Sequence, residues 1–469
     1  MRPRFSLAAE DTLSGIKATD SHPSSGSGVF GATFASLSER DFAWFFGGNL
    51  LFFMAIQMQF ILFGYITFDI TGSAKALGVV AAAFALPTLV AGPVSGVIVD
   101  RVSKRLLLNV SGLIAVGMSL ALGILVFSGA IEVWHLVVAS IMIGLLMSIN
   151  MPTRQALVPQ LVPRHRLSNA ISLQMGSMNL TRIVAPAVAG VLIGPFGSGW
   201  VYLLSASLFL LSALLTLRLP PHGMTGHQSN AGFWNEATEG FRYIWKHETI
   251  RLLILTSLLI PMLAFPVQQM LPVFAREVFH KGAAGLGLMA AMSGVGGLTG
   301  AILAANMDRQ TNKGRLLLVG GAVMGTFTIA FALAPGFALA LGLLVLANAG
   351  QMLFMTTNNT VIQANLPGEI RGRVVSVMMM SFGLTPFAVI PVSAAADSIG
   401  APATIACTAG LALAMILILF TRFGQLRNLR LETLEHVDLS PVQAAVLVAE
   451  GHLTEEEANR LTGARSLEA

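Results

Sequence analysis

The sequence predicts an all-α integral membrane protein whose twelve transmembrane helices form two pseudo-symmetric six-helix bundles. Three observations lead there. Charged residues make up 11% of the 469 and hydrophobic ones 54%, whereas soluble domains carry roughly 25% charged residues. Apolar runs of about 20 residues, the length needed to cross a bilayer core, follow one another with short polar breaks. Segments of the first half also recur in the second. A soluble fold of this size needs a charged skin that the composition does not supply, and a mean hydropathy of +0.74 points to lipid as the main solvent. The 47 glycines suit closely packed membrane helices. The single cysteine, Cys407, cannot form an intrachain disulfide.

Residues 1–41 read as a disordered tail, because Ser24-Ser25-Gly26-Ser27-Gly28 and its flanks bury too little to offset the entropy of ordering. No apolar signal-peptide core precedes Phe42. Six spans are then expected near Phe42–Phe68, Leu77–Val99, Leu106–Phe127, Val133–Met151, Ser168–Ile193 and Trp200–Leu217. Beyond a polar stretch, 218–251, come Leu252–Val273, Ala283–Met307, Leu316–Leu333, Ala338–Thr357, Val374–Ala396 and Ala401–Phe420. The bundles are thus 42–217 and 252–421, and 422–469 is a second tail in which Thr454-Glu-Glu-Glu457 has the form of a capping box. The fifth span is the least apolar, with Gln174, Asn179 and Arg182. Omitting it would strand the basic residues that follow. The alternation over about 10 residues that a membrane barrel needs is not the rhythm of these runs.

Charge sets the orientation. Of the 28 lysines and arginines, all but Lys75, Arg276, Lys281 and the intramembrane Arg182 fall in the tails or in loops on one side. The positive-inside rule places that side, with both termini, in the cytoplasm of a multi-pass cell-membrane protein. A sequence pI of about 9.7 is therefore no nucleic-acid signal: its cations are topology anchors spread over separate segments. Within 218–251, Phe233–His247 places Trp234, Ala237, Phe241 and Ile244/Trp245 on one face, as in a helix lying on the membrane surface.

Two segments repeat across the midpoint. Val99-Asp100-Arg101-Val-Ser-Lys104-Arg105-Leu-Leu-Leu returns as Met307-Asp308-Arg309-Gln-Thr-Asn-Lys313-Gly-Arg315-Leu-Leu-Leu, 208 residues on from Asp100 to Asp308. Pro163-Arg-His-Arg-Leu-Ser-Asn-Ala-Ile-Ser172 returns as Pro367-Gly-Glu-Ile-Arg-Gly-Arg-Val-Val-Ser376, 204 residues on. Each pair follows the second or the fourth span of its half. Two like halves imply a pseudo-two-fold axis along the membrane normal and a site between them.

The stretch Gly96-Val-Ile-Val-Asp100-Arg101-Val-Ser103-Lys104-Arg105 resembles the G-x-x-x-D-R-x-G-[RK]-[RK] loop of the major facilitator superfamily, with Ser103 where glycine is usual. Thr71-Gly72-Ser73, Pro152-Thr-Arg154-Gln155-Ala156-Leu157-Val-Pro159-Gln-Leu-Val-Pro163 and Glu239-Gly240-Phe241-Arg242-Tyr243 are similar to the twelve-span exporter branch of enterobactin and macrolide efflux carriers. The resemblance implies that Asp100 latches one rocked state against Arg101, Lys104 and Arg105 beside Gly96, with Asp308, Arg309 and Lys313 as the partial copy. The bare residues also allow the basic groups to be loop anchors only. The fifth-span G-P-x-x-G-G signature of exporters stands here as Ala185-Pro186-Ala-Val-Ala189-Gly190, and Ile141 occupies about the place of the fourth-span arginine of proton antiporters.

Within the spans, Arg182 is the one deep cation, either a functional group or a clamp on another helix. Asp69, Glu132, Glu277 and Asp397 lie near the non-cytoplasmic ends, so a proton, if it is the coupling ion, would have Asp69 or Asp397 to ride on. In the superfamily the first, fourth, seventh and tenth spans line the cavity. They offer Gln57 or Gln59, Asn150, Gln268 or Gln269, and Asn348, Gln351 and Asn358 on one helical face. Gln57 and Gln59 point about 200° apart, so at most one faces a cavity. Such amides can instead bond between helices. Pro261 and Pro266 could break the seventh helix. An apolar lining with scattered amides suits a bulky amphiphile better than a sugar phosphate.

The expectation is a secondary exporter of small amphiphilic, drug-like or siderophore-like molecules, working by alternating access as a monomer in the lipid bilayer. A lipid flippase or importer, or a non-transporting receptor or scaffold, are the alternatives. No enzyme, cofactor or metal is expected: nucleotide-binding loops are missing and the nine histidines are scattered.

Overall fold

The computed structural model describes residues 34–220, 241–246, 248–307, 312–364, 366, 374 and 385–423. Among them run twelve long α-helices. The first half supplies α1 (Arg40–Thr71), α2 (Ala74–Arg101), α3 (Lys104–Phe127), α4 (Val133–Leu161), α5 (Leu167–Phe196) and α6 (Ser198–Leu217). The second supplies α7 (Glu248–Val273), α8 (Gly282–Asn306), α9 (Lys313–Ala332), α10 (Phe337–Ala364), α11 (Thr385–Ile399) and α12 (Ala401–Arg422). Nine are long and apolar enough to cross a membrane, and α2 and α11 add the apolar stretches Ala74–Thr88 and Phe387–Ile399. Helices suit lipid because each satisfies its own backbone polar groups. Large apolar side chains such as Ile124, Val191, Leu411 and Ile418 stand exposed on the outer surface, where lipid meets them.

The helices pair in two matching sets. In the first half α2 packs on α4, α3 on α6, and α1 on α5 and α6; in the second, α8 packs on α10, α9 on α12, and α7 on α11 and α12. The bundles meet along two seams, α5 with α8 and α2 with α11, which the same pseudo-symmetry exchanges. The repeat reaches single residues. The turn from α5 to α6 is made by Gly197 (φ 80°, ψ 163°) and that from α11 to α12 by Gly400 (φ 84°, ψ 149°). Only glycine adopts this backbone cheaply. Lys104 and Lys313 each open their helix, α3 and α9, and both are buried.

Helix ends differ from expectation mainly in α4, which continues from Met151 to Leu161 through Pro152 and Pro159. The α7 helix also runs on unbroken through Pro261 and Pro266, so neither proline divides it. Of the expected surface helix, residues 241–246 are helical, with Phe241 stacked on Trp245 and Ile244 buried. The copies Asp308-Arg309 and Pro367–Ser376 and the tail capping box lie outside the described residues, apart from Val374.

The apolar core forks. At the far end, where α1 finishes and α2 begins, one cluster joins both bundles, bringing Leu62, Phe63 and Leu77 together with Leu271, Phe274 and Leu286. At the near end, where α1 begins, there are two clusters. Phe42, Phe45, Leu108 and Leu157 close the first bundle, and Ile250, Leu253, Leu317 and Phe420 close the second.

Glycine makes the far-end seam tight. A Cβ on Gly190 would lie 2.6 Å from the Gly287 Cα, and one on Gly78 would lie 2.7 Å from the Ser393 Oγ. Closer to the near end a Cβ on Gly176 or Gly297 meets nothing within 4 Å. In lipid, where apolar burial drives little association, such backbone approach is the main attraction. Gly190→Leu and Gly287→Leu each overpack the seam at a cost of about 1–3 kcal/mol. Both should lower the thermal midpoint of the purified protein, while Gly297→Leu leaves it unchanged; equal midpoints for all three would contradict the seam.

Candidate functional site

A cavity of about 560 Å³ sits where the core divides. Both bundles line it, and the wall is chiefly Phe, Met, Leu and Ile from α1, α2, α4, α5, α7 and α8. Phe60 and Phe84 meet edge to face on that wall, their ring centroids 5.1 Å apart. The polar lining is sparse: Gln57, Gln268, Gln269, Asn348, Thr88, Ser140, Thr181, Ser293 and Arg182. Gln268 Nε2 donates to Asn348 Oδ1 at 3.1 Å, and Asn348 Nδ2 donates to the Leu344 carbonyl. That tie orients two amides of neighbouring helices toward the cavity.

The expected pathway residues thus separate into groups. Gln57, Arg182, Gln268, Gln269 and Asn348 meet on the cavity wall. Gln351 lines a pocket of about 20 Å³ inside the second bundle, between α7, α9, α10 and α12, which is the size of a single water. Gln59, Asn150 and Asn358 are placed in helix packing. Gln59 is fully buried and donates to Ser119 Oγ of α3 at 2.6 Å. Asn150 donates to Ser111 Oγ at 2.7 Å, joining α4 to α3. Asn358 donates to the Leu253 carbonyl at 3.2 Å and to Ser257 Oγ, joining α10 to α7. The physical reason is common to all three. A polar side chain on a bundle-facing position finds a hydroxyl or carbonyl on the next helix before it can reach the midline.

One cation expected in a cytoplasmic loop is buried in a helix instead. Because α4 continues, Arg154 lies inside it, 2% exposed. Its Nη1 donates to Asn49 Oδ1 at 3.1 Å, and Asn49 Nδ2 donates on to Ser177 Oγ at 3.3 Å, so the group ties α1, α4 and α5. The guanidinium stands 4.3 Å from the Phe52 ring centroid. The spacing of Asn150, Thr153, Arg154 and Leu157 at i, i+3, i+4 and i+7 marks a buried helical face, and that pattern could have revealed it.

Of the expected gating loop, Gly96 and Asp100 end α2 and their side chains lie outside what the structure describes. Arg101 is exposed and Arg105 half-buried, whereas Lys104 is fully buried. Lys313 Nζ donates to the Met307 carbonyl at 3.5 Å. Asp308 and Arg309 lie outside the described residues.

The far end carries cross-bundle contacts that sequence reading did not supply. Asp397, at the end of α11, accepts hydrogen bonds from the Ala74 backbone N–H (2.6 Å), the Lys75 backbone N–H (3.0 Å) and the Ser73 hydroxyl (2.7 Å). A carboxylate of one bundle therefore caps the first turn of α2 in the other, where the helix dipole favours negative charge. Arg276, in a π-helical turn after α7, pairs with Asp69 of α1 at 2.6 Å. Both contacts are solvent-exposed, so each is worth at most about 1 kcal/mol. The acids named as proton carriers are thus engaged in far-end contacts.

Removing the cap should loosen this end. In a Cys407→Ser background carrying Leu77→Cys, Asp397→Ala should speed labelling by a membrane-impermeant maleimide from the far side several-fold. An unchanged rate would show that closure does not depend on the cap.

Residues 31–454 match the family described as transmembrane secretion effector. Among curated proteins, the staphyloferrin A transporter of Staphylococcus aureus is 24% identical over 84% of this chain and 98% of its own. The multidrug efflux pump Tap of Mycolicibacterium fortuitum is 27% identical over 73% of this chain and 86% of its own. The macrolide efflux protein A of Streptococcus pyogenes is 24% identical over 74% and 86%. Among solved structures, a bacterial homologue of the iron transporter ferroportin in an inward-facing state superposes with a TM-score of 0.66 at 17% identity, covering 83% of this chain and 99% of that one. A match of this extent, on a fold of two like bundles around a midline cavity, makes the chain a multi-pass membrane transporter: it belongs to the transmembrane secretion effector family of the major facilitator superfamily.

Proposed function

We propose that the chain exports small amphiphilic molecules, of drug or siderophore type, across the cell membrane by alternating access. The observation that carries this is the forked core: one cluster at the far end, two at the near end, and the cavity at the division. Such an arrangement opens to one side by parting the two near-end clusters and to the other by parting the single far-end one. The names of the relatives, two of them efflux proteins and one a staphyloferrin A transporter, support this reading.

Basic residues crowd the loops at the near end, so the near end is the cytoplasmic one and both termini lie there. The structure then corresponds to the inward-facing state. Residues 42–217 and 252–421 are the rocking bodies, 218–251 is the cytoplasmic linker, and 1–41 and 422–469 are the tails. Including α2, α7 and α11 among the spans gives twelve. A monomer suffices, because one chain closes the cavity. In the outward-facing state the Gly96–Arg105 loop closes the cytoplasmic side, with Asp100 paired to a basic neighbour and Asp308, Arg309 and Lys313 acting in the second half.

Inverted membrane vesicles test this. Vesicles carrying the chain should accumulate an amphiphilic dye when an ion gradient is imposed, without ATP, and Asp100→Asn should cut the initial rate by about tenfold, as losing about 1.4 kcal/mol from one state would. Binding without accumulation would overturn export. Accumulation indifferent to Asp100→Asn would overturn the latch alone.

A further inference from the structure

Among the described residues, Arg182 is the one ionisable residue that lines the cavity. It stands exposed on the wall, and no hydrogen bond or ion pair joins it to any other described residue. Residues 258–265 of α7, whose side chains are not described, contain no ionisable residue in sequence. Among the described residues the wall therefore holds a guanidinium with no carboxylate to balance it. An uncompensated charge at membrane depth is costly and persists where it has work to do. The buried Arg154 makes the contrast clear, since it is held by Asn49 and two phenylalanine rings.

We propose that Arg182 is an anion subsite, and that the preferred cargo is an amphiphile whose apolar body lies on the Phe and Met wall and whose carboxylate pairs with the guanidinium. This rests on the export reading and deepens it. A planar guanidinium offers two parallel N–H donors that match a carboxylate, and Gln57, Gln268 and Gln269 supply further donors nearby. A hydrophobic cation finds no counter-charge among the described wall residues and meets repulsion instead. Position links the subsite to the rocking motion as well. A Cβ on Gly294 of α8 would lie 2.9 Å from the Arg182 carbonyl oxygen, so the residue that meets the anion also forms the seam between bundles.

Three dansyl probes of like size separate the possibilities: dansylglycine (anionic), dansylamide (neutral) and dansylcadaverine (cationic). Binding is read by fluorescence on the full-length protein in nanodiscs, and movement is read in proteoliposomes against protein-free controls. Wild type should bind dansylglycine at least about tenfold more tightly than dansylcadaverine. Arg182→Gln should abolish that preference, and Arg182→Lys should keep part of it. Ser293→Asp puts a carboxylate on the facing α8 wall while retaining the arginine, and should also weaken dansylglycine binding. This second variant decides the matter if Arg182→Gln does not fold. Nanodiscs with and without phosphatidylglycerol distinguish a soluble anion from a lipid headgroup: competition by the lipid would assign the subsite to the headgroup and overturn the soluble cargo. Arg182-dependent binding without translocation supports the subsite and overturns export. Translocation with a ranking unmoved by either variant overturns the subsite and leaves export standing. Neither Arg182-dependent binding nor movement overturns both.

Discussion

Lipid offers no hydrogen bonds, so a polar side chain of this fold gains by finding a partner on its own helix, on another helix or at the midline cavity. That constraint sorts the molecule. Gln59, Asn150 and Asn358 bond to hydroxyls and carbonyls within their own bundles and stiffen them. Asn49, Arg154 and Ser177 do the same at one node. Gln57, Gln268, Gln269, Asn348 and Arg182 instead lie along the division of the core, on the cavity wall. A rigid bundle and a chemically distinctive midline follow from the same requirement.

The two seams show how such bundles can part. Their closeness depends on backbone contact at Gly190 and Gly287, on Gly78 against the Ser393 side chain, and on exposed polar pairs at Asp397 and Asp69. Neither device is strong. Surface ion pairs contribute little, and small-residue packing is lost quickly with distance because dispersion is short-ranged. A closure built from many weak, short-range contacts can be given up all at once and re-formed on the other side. The pseudo-symmetry of the pairings, down to Gly197 with Gly400 and Lys104 with Lys313, supplies the matching surfaces.

Much of this was legible in the sequence, for definite reasons. Composition and the spacing of apolar runs located the nine helices that are long and apolar enough to cross a membrane, because lipid imposes length and apolarity on a span. The repeat around Asp100 and Asp308 exposed the two halves. Side-chain destinations were harder. Gln57 and Gln59 differ by two residues and face opposite ways, and no local pattern says which neighbour stands opposite. Arg154 lies beyond the apolar run that ends at Met151, yet α4 continues to Leu161 and buries it. The cap made by Asp397 joins residues more than 300 positions apart and leaves no local mark.

The fixed positive charge in the cavity also bears on energetics. If the cargo is an anion, cargo and guanidinium cross the occluded state as a neutral pair, and the unloaded carrier returns with the charge uncovered. A potential of 100 mV acts on a full elementary charge with about 2.3 kcal/mol. In a cell that is negative inside, voltage then opposes nothing on the loaded stroke and pulls the empty one back toward the cytoplasm. The resting membrane would thus reset the carrier electrically, in proportion to how far Arg182 moves through the field.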